Sequence, residues 1–131
     1  MREVHLYIAE DGSEFEDEQE CLAYEAGQNA RMLKGQVVLL AENFQPIPLS
    51  DLSEWDAARY IFVKDLSALH ALRNVWDWDL TGLYPPDFLN GDTAGLFAYD
   101  GDDDEWYHVG ARLQILQNIA DKAMSVINKN I

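Results

Sequence analysis

The residues best suited to chemistry in this sequence are carboxylates concentrated near the N-terminus. Eight acids follow one another there without an intervening Lys or Arg: Glu10, Asp11, Glu14, Glu16, Asp17, Glu18, Glu20 and Glu25. Such a group can meet a basic protein, hold a cation or simply keep a protein soluble. Between Glu16 and Glu25, five carboxylates would occupy about 15 Å of helix, a charge density close to that of one nucleic-acid strand.

This density predicts a surface that binds a partner. The predicted partner-binding acids are Glu14, Glu16, Asp17, Glu18, Glu20 and Glu25. They could enter the basic groove of a nuclease or another nucleic-acid-binding protein, as a DNA mimic does. The alternative is a solvated helix start, because the helix dipole stabilises acids in a first turn whether or not they bind anything.

A second candidate contact lies in residues 74–88 (NVWDWDLTGLYPPDF), where aromatic residues alternate with aspartates. Aromatic anchors ringed by acids suit a basic partner, so Trp78, Tyr84 and Phe88 are predicted to bind it. The alternative is that these rings close one end of the core, which we expect above all of Trp76.

Catalytic and metal-binding patterns are not evident. The tract at residues 100–105 (DGDDDE) lacks the spacing of an EF-hand loop and should splay into water, so no metal site is predicted. The three histidines form no zinc-binding spacing with the single cysteine, Cys21, which we expect to be buried and unreactive among acids. Without a nucleotide-binding or nucleophile motif, we expect neither an enzyme nor a cofactor.

Composition bounds the class of protein. The chain has 131 residues, 24 acids against 9 Lys and Arg, a net charge of −15 and 48% hydrophobic residues. This is too apolar for disorder, and its scattered basic residues disfavour direct binding of nucleic acid or an anionic membrane. One cysteine excludes an intrachain disulfide, and the N-terminus has no apolar signal segment, so we expect a cytoplasmic protein.

The elements that must position these residues are read from periodicity and turn signals. Predicted strands are 4–9, 36–41, 59–64, 96–99 and 106–109; predicted helices are 15–33, 52–57, 65–76 and 113–127, with a mostly irregular segment at 77–95. The last two strands should form a hairpin with the acidic tract at its tip. The order predicts a single α+β domain over residues 1–131, with a small antiparallel or mixed sheet and helices on one face.

Two segments carry a resemblance to a known class. Residues 6–15 (LYIAEDGSEF) and 20–25 (ECLAYE) form a strand, an Asp-Gly turn, an acidic helix start and a Glu-Cys-x-x-Tyr-Glu pattern. This resembles the start of many small accessory proteins of tailed phages and prophages. The resemblance implies a protein acting in the cytoplasm of a bacterial host, where many small acidic phage proteins inhibit host factors.

Together these observations predict a non-catalytic binding protein, a phage-type inhibitor that presents an acidic surface to a basic, nucleic-acid-binding host protein in an anti-defence role. The alternative is a domain that binds or sequesters a small ligand, with the acidic surface serving only solubility.

Overall fold

The computed structural model describes residues 5–131, apart from the side chains of Leu80 and Thr81. Its α-helices are α1 (Glu18–Arg31), α2 (Leu66–Val75), α3 (Trp78–Thr81) and α4 (Val109–Lys129), and its 3-10 helices are Leu52–Ala57 and Asp87–Asn90. Its strands are β1 (Tyr7–Ile8), β2 (Glu14–Phe15), β3 (Val37–Leu40), β4 (Tyr60–Val63), β5 (Gly95–Asp100) and β6 (Glu105–His108).

The strands form two antiparallel sheets. β1 and β2 pair as a small hairpin, and the main sheet has the order β3-β4-β5-β6. Each neighbouring pair in the main sheet is antiparallel. The predicted α+β class is therefore confirmed, and the choice between an antiparallel and a mixed sheet is settled as antiparallel.

Aspartate caps explain where several helices begin. The side chain of Asp65 accepts a hydrogen bond from the amide of Ala68, and that of Asp51 accepts one from the amide of Ser53. Such caps satisfy amides that have no partner within the helix. The predicted helix start at Asp65 is confirmed.

The core lies on the inner face of the main sheet, between the sheet and the helices α1 and α2. Its buried residues are Ala30, Leu33, Val37, Leu39, Ile47, Trp55, Ala58, Ile61, Val63, Ala68, Leu69, Leu72, Val75, Trp76 and Leu89. Along β3 and β4, buried residues alternate with more exposed ones, because successive side chains of a strand point to opposite faces of the sheet. Packing in this core fixes the position of α1 relative to the main sheet, and residues of both contribute to the candidate sites.

The C-terminal helix α4 stands apart from this core. The predicted amphipathic helix is present, but none of the residues in α4 is buried. Along the described residues, no helix is both long enough and apolar enough to cross a membrane.

Several predicted boundaries are wrong. The first helix begins at Glu18 rather than near residue 15, because Phe15 belongs to β2 and pairs with Tyr7. The segment 77–95 is mostly irregular, as predicted, but it also contains α3 and a short 3-10 helix. The first strand is Tyr7–Ile8 where residues 4–9 were predicted, and Val4 lies outside the described residues.

Candidate functional site

Exposed carboxylates surround the start of α1. They are Glu14 on β2, Glu16 and Asp17 in the connection, and Glu18 and Glu20 in the first turn of α1, and we call them the acidic cluster. The hairpin positions the first of them, since Ile8 of β1 pairs with Glu14 of β2. A two-residue strand followed by a helix start thus concentrates five exposed acids at one end of α1.

The acidic cluster surrounds the start of α1 rather than forming a line along the helix. An α-helix turns by about 100° per residue, so Glu18 and Glu20 leave α1 about 200° apart. Glu14 and Glu16 precede the helix altogether. Five acids on one helix between Glu16 and Glu25, as the sequence predicted, would match the charge density of a phosphate strand, whereas this arrangement crowds negative charge around a helix end.

Asp17 has a structural role in addition to its charge. Its side chain accepts a hydrogen bond from the backbone amide of Gln19 at 2.8 Å and so caps α1. Asparagine caps helices about as well as aspartate. Replacing Asp17 with Asn therefore removes the charge and keeps the cap.

Glu25 does not belong to the exposed group. It is half-buried, and its carboxylate accepts a hydrogen bond from the backbone amide of Glu10 at 3.1 Å. Beside it, the Tyr24 hydroxyl donates to Asp11, and this bond, followed by bonds from Ser13, holds the pKa of the Asp11 carboxyl below its usual value. These contacts fasten the β1–β2 hairpin to α1.

Cys21 lies beneath the acidic cluster and is buried, as predicted. Burial, and then the negative charges of Glu25, Asp11 and Glu18, raise the pKa of its thiol. A raised pKa keeps the thiol protonated near neutral pH and therefore weakly nucleophilic.

The predicted aromatic contacts divide into two groups. Trp78 stacks on Tyr84 with ring centroids 3.9 Å apart, and both side chains are exposed. Phe88 is half-buried, stacks on the buried Phe97 and packs against the core. Trp76 is buried, as expected.

The exposed aromatic pair lies near the helix that begins in the acidic cluster. Trp78 opens α3, and α3 packs against α1. The fold therefore places on neighbouring elements two predicted partner-binding groups that are far apart in the sequence.

A third candidate site, which the sequence reading missed, is a cleft of about 220 Å³ behind the hairpin of β5 and β6. Its walls include Trp55, Trp76, Trp106, Tyr84, Tyr99 and Arg59. These residues come from several separate segments, so no local spacing marks the cleft.

Three residues that line the cleft carry hydrogen-bond donors: Trp55, Trp76 and Arg59. The indole nitrogens of Trp55 and Trp76 are buried, and neither has a hydrogen-bond partner among the described residues. Arg59 donates to the carbonyl oxygens of Asp56 and Ala58, both at 2.9 Å. Because most buried donors in proteins are paired, these two indole N–H groups each require an acceptor, which ordered water or a small ligand can supply.

Tyr99 and Asp104 also line this cleft. The Tyr99 hydroxyl donates to Asp104, and this bond, followed by burial, raises the pKa of Tyr99. The guanidinium of Arg59 lies 5.3 Å from the centroid of the Tyr99 ring. The acidic hairpin tip is thus joined to the cleft by a side-chain contact.

A larger cleft, of about 540 Å³, lies between the end of α1 and β3. Its lining is apolar around Val37 and Ile47, with Arg31 and Lys34 at its border. Neither Trp55 nor Trp76 lines this cleft, so their unpaired indole donors give no reason to expect a ligand in it.

The acidic hairpin tip does not gather its carboxylates. Asp100 accepts a hydrogen bond from the amide of Asp102, while Asp104 is engaged by Tyr99. Within the described part of the chain, no three His, Cys, Asp or Glu side chains converge as a metal site requires.

These features define a small acidic α+β protein with an exposed acidic cluster and an aromatic cleft. Comparison with models of known protein families, with curated proteins and with solved structures finds no match.

Proposed function

We propose that this chain is a non-catalytic binding protein that presents its acidic cluster to a basic protein. The observation that carries the proposal is that five carboxylates stand exposed around one helix end with no cation of the described residues paired to them. Across residues 5–131, the ion pair found is Arg112 with Asp100, at 3.9 Å and remote from the cluster in sequence.

Crowded like charges repel one another, and water and salt reduce this repulsion only in part. The dipole of α1 stabilises Glu18 and Glu20 in its first turn but does not neutralise Glu14 or Glu16. A basic partner would relieve the repulsion and would be attracted from a distance, which raises the association rate.

The kind of partner follows from the charge. A nucleic-acid-binding protein carries clustered Lys and Arg that ordinarily displace counterions from phosphates. The acidic cluster can occupy such a surface and exclude nucleic acid from it. In the setting that the phage resemblance implies, this protein would inhibit a host nucleic-acid-binding protein, such as a defence nuclease.

The exposed Trp78 and Tyr84 complete the proposed contact. Charge pairs at a surface are individually weak, about 0.2–1 kcal/mol each, whereas aromatic anchors supply much of the energy of protein interfaces. We propose that the same partner also covers this aromatic pair, since α3 packs against α1, the helix that begins in the acidic cluster.

The test is a variant with four charges removed: Glu16→Gln, Asp17→Asn, Glu18→Gln and Glu20→Gln. Because exposed charge pairs contribute a few tenths to one kcal/mol each, capture of the partner from bacterial lysate should fall roughly ten-fold or more. Binding by the wild type should also weaken as salt rises, and a single-stranded oligonucleotide should displace the captured partner.

The matched control removes the same total charge from dispersed, exposed acids: Glu42, Glu54, Asp92 and Asp103. If charge position matters, this control should retain the partner. Equal retention by wild type and the four-charge variant would refute the role of the acidic cluster, and equal loss in both variants would reduce that role to net charge.

A second candidate function, a small-ligand-binding domain, is supported by the unpaired donors of Trp55 and Trp76. A cleft of about 220 Å³ is below the usual range for drug-sized ligands, about 300–1,000 Å³, so only a small molecule would fit. Aromatic walls and two indole donors favour a planar, uncharged molecule with two hydrogen-bond acceptors, such as a heteroaromatic base.

Titration with free nucleobases, followed by the NMR signals of the indole N–H groups, tests this candidate. The Trp55 and Trp76 signals should shift in a saturable way, while that of the exposed Trp78 should not. Trp76→Phe, which keeps a ring but removes the donor, should weaken binding several-fold. Unmoved signals across the panel would mean that ordered water, rather than these ligands, satisfies the donors.

A further inference from the structure

The cleft of about 540 Å³ between the end of α1 and β3, which we call the β3 cleft, is lined largely by aliphatic side chains and prolines. They are Val37, Val38, Leu39, Pro46, Ile47, Pro48 and Leu49. Its volume lies within the range of about 300–1,000 Å³ that is usual for pockets that bind small molecules. The β3 cleft can therefore hold the apolar part of such a molecule.

The charged residues of the β3 cleft are basic. Arg31 and Lys34 line it, and both side chains are exposed. Among the described residues that line the cleft, none is acidic. Because the chain has 24 acids against 9 Lys and Arg, a cleft with two cations and no acid departs from the charge of the chain as a whole. Its chemistry favours an anion.

Neither cation is engaged within the described part of the chain. The side chains of Arg31 and Lys34 make no hydrogen bond and no ion pair with the residues that the structure describes. A cation at a helix end can serve the last carbonyl groups, but here the carbonyl of Arg31 accepts from the backbone amide of Lys34 at 3.3 Å. The other described arginines have acceptors within the chain: Arg59, Arg73 and Arg112. Arg31 and Lys34 are therefore free to bind an anion.

A third cation, Lys64, stands beside the β3 cleft. Its backbone amide donates to the carbonyl oxygen of Gln36 at 2.9 Å, and the residues on both sides of Gln36 line the cleft. Val63 before it is fully buried on the inner face, so the exposed Lys64 points to the outer face, as Val38 of the cleft does. Positive charge thus continues from the cleft onto the adjoining end of the sheet.

The lining distinguishes a hydrocarbon chain from a peptide. A peptide carries backbone N–H and C=O groups, and burying them without partners costs free energy. Most walls of the β3 cleft are side chains without polar atoms, and Pro46 and Pro48 have no N–H to donate. A hydrocarbon chain brings no polar groups and gains from burial. A carboxylate at its end matches Lys34 and the planar guanidinium of Arg31, which can donate two parallel hydrogen bonds.

We propose that the β3 cleft binds a single-chain aliphatic carboxylate. The hydrocarbon chain lies against Val37, Leu39 and Ile47, and the carboxylate is bound by Arg31 and Lys34. The net charge of −15 opposes an anion at long range. Physiological salt screens charges that are more than about 8 Å apart, so the adjacent cations dominate.

This site is separate from the acidic cluster. The cluster surrounds the start of α1 and the β3 cleft adjoins its end, and the 14 residues of α1 span about 20 Å. The proposal therefore does not depend on the binding of a basic partner.

The first test titrates the protein with octanoate, decanoate and dodecanoate and follows its methyl signals by NMR. The signals of Val37, Leu39 and Ile47 should move in a saturable way, while those of Leu116 and Ile119, exposed apolar side chains of α4, should not. Affinity should rise roughly ten-fold for every two methylene groups added. Shifts in α4 as large as those in the cleft would indicate unspecific binding of hydrocarbon and would overturn the proposal. So would the absence of any shift with dodecanoate at about 1 mM.

The second test varies the head group on a chain of similar length. Decanol has no charge and should bind roughly ten-fold more weakly than decanoate, because it forms no charge pair with Arg31 or Lys34. Decyltrimethylammonium should bind more weakly still, since the cations repel it. Equal binding of all three would exclude a site for a carboxylate.

The third test removes the cations with Arg31→Gln and Lys34→Gln in one variant. Its affinity for decanoate should fall roughly ten-fold, while its affinity for decanol should stay unchanged. The matched control, Lys122→Gln with Lys129→Gln, removes the same charge from α4 and should bind decanoate as the wild type does. All four side chains are exposed, so circular dichroism should show unchanged folding. Equal losses of decanoate binding in the two variants would overturn the assignment of the carboxylate to Arg31 and Lys34.

Discussion

Replacing Leu69 with Ala should lower the free energy of unfolding by about 2–5 kcal/mol, because the change removes buried methyl groups and leaves a cavity in the core. Leu69 is fully buried on α2, packed between that helix and the main sheet. Since small domains are stable by about 5–15 kcal/mol in total, this single change is a large fraction of the whole. Urea denaturation followed by circular dichroism measures it.

Leu66→Ala is the matched control for this prediction. It makes the same chemical change on the same helix, but Leu66 is 44% exposed, against 0% for Leu69. The free energy of unfolding should fall by less than about 1 kcal/mol in this variant. Similar losses at the two positions would mean that α2 does not pack on the sheet through the face described.

Replacing Gly95 with Ala should lower the free energy of unfolding by about 2–5 kcal/mol, from two sources. Gly95 has φ +120°, which an L-residue adopts only under strain. A Cβ there would also lie 2.6 Å from Nε2 of His108, so the imidazole must move.

The imidazole of His108 is the cap of α4. Its Nδ1 accepts a hydrogen bond from the amide of Ala111 at 2.9 Å, which places the ring proton on Nε2, 2.7 Å from the carbonyl oxygen of Ala94. Moving the ring breaks both bonds, and loss of a helix cap costs about 0.5–2 kcal/mol. Gly95→Ala should therefore disturb the start of α4 as well as β5.

Gly27→Ala is the control, because we expect it to raise the free energy of unfolding where Gly95→Ala lowers it. Gly27 lies inside α1, and a Cβ there would meet nothing within 4 Å. The change should stabilise the protein by about 0.4–1 kcal/mol, because alanine favours the helix and restricts the unfolded chain. Urea denaturation of both glycine variants checks the pair, and a Gly95→Ala protein as stable as the wild type would contradict the account of His108.

Local patterns in the sequence were sufficient for most elements of the main sheet. The apolar run at residues 59–64 became β4, and the acidic tract at 100–105 does separate β5 from β6. These elements were predictable because their signals lie within a few residues: a short run of strand formers, or a turn between two such runs.

Elements held by distant contacts were less predictable. β2 has only two residues, too few for an alternating pattern, and it exists because Phe15 pairs with Tyr7. Acids after a turn look the same whether they precede a helix or lie within it, so the helix start was placed too early. Glu25 was grouped with the exposed acids because the sequence contains no sign of its bond to the Glu10 amide.

By itself, the sequence determined the acidic charge, the α+β class and the amphipathic character of the last helix, since composition and periodicity are properties of neighbouring residues. Only the tertiary structure decided that Leu69 is buried and Leu66 exposed, that the indoles of Trp55 and Trp76 meet beside one cleft, and that no residue of α4 is buried. The physical reason is that burial and convergence depend on how distant segments pack. Periodicity shows that a face is apolar, but the packing of the whole chain decides what covers that face.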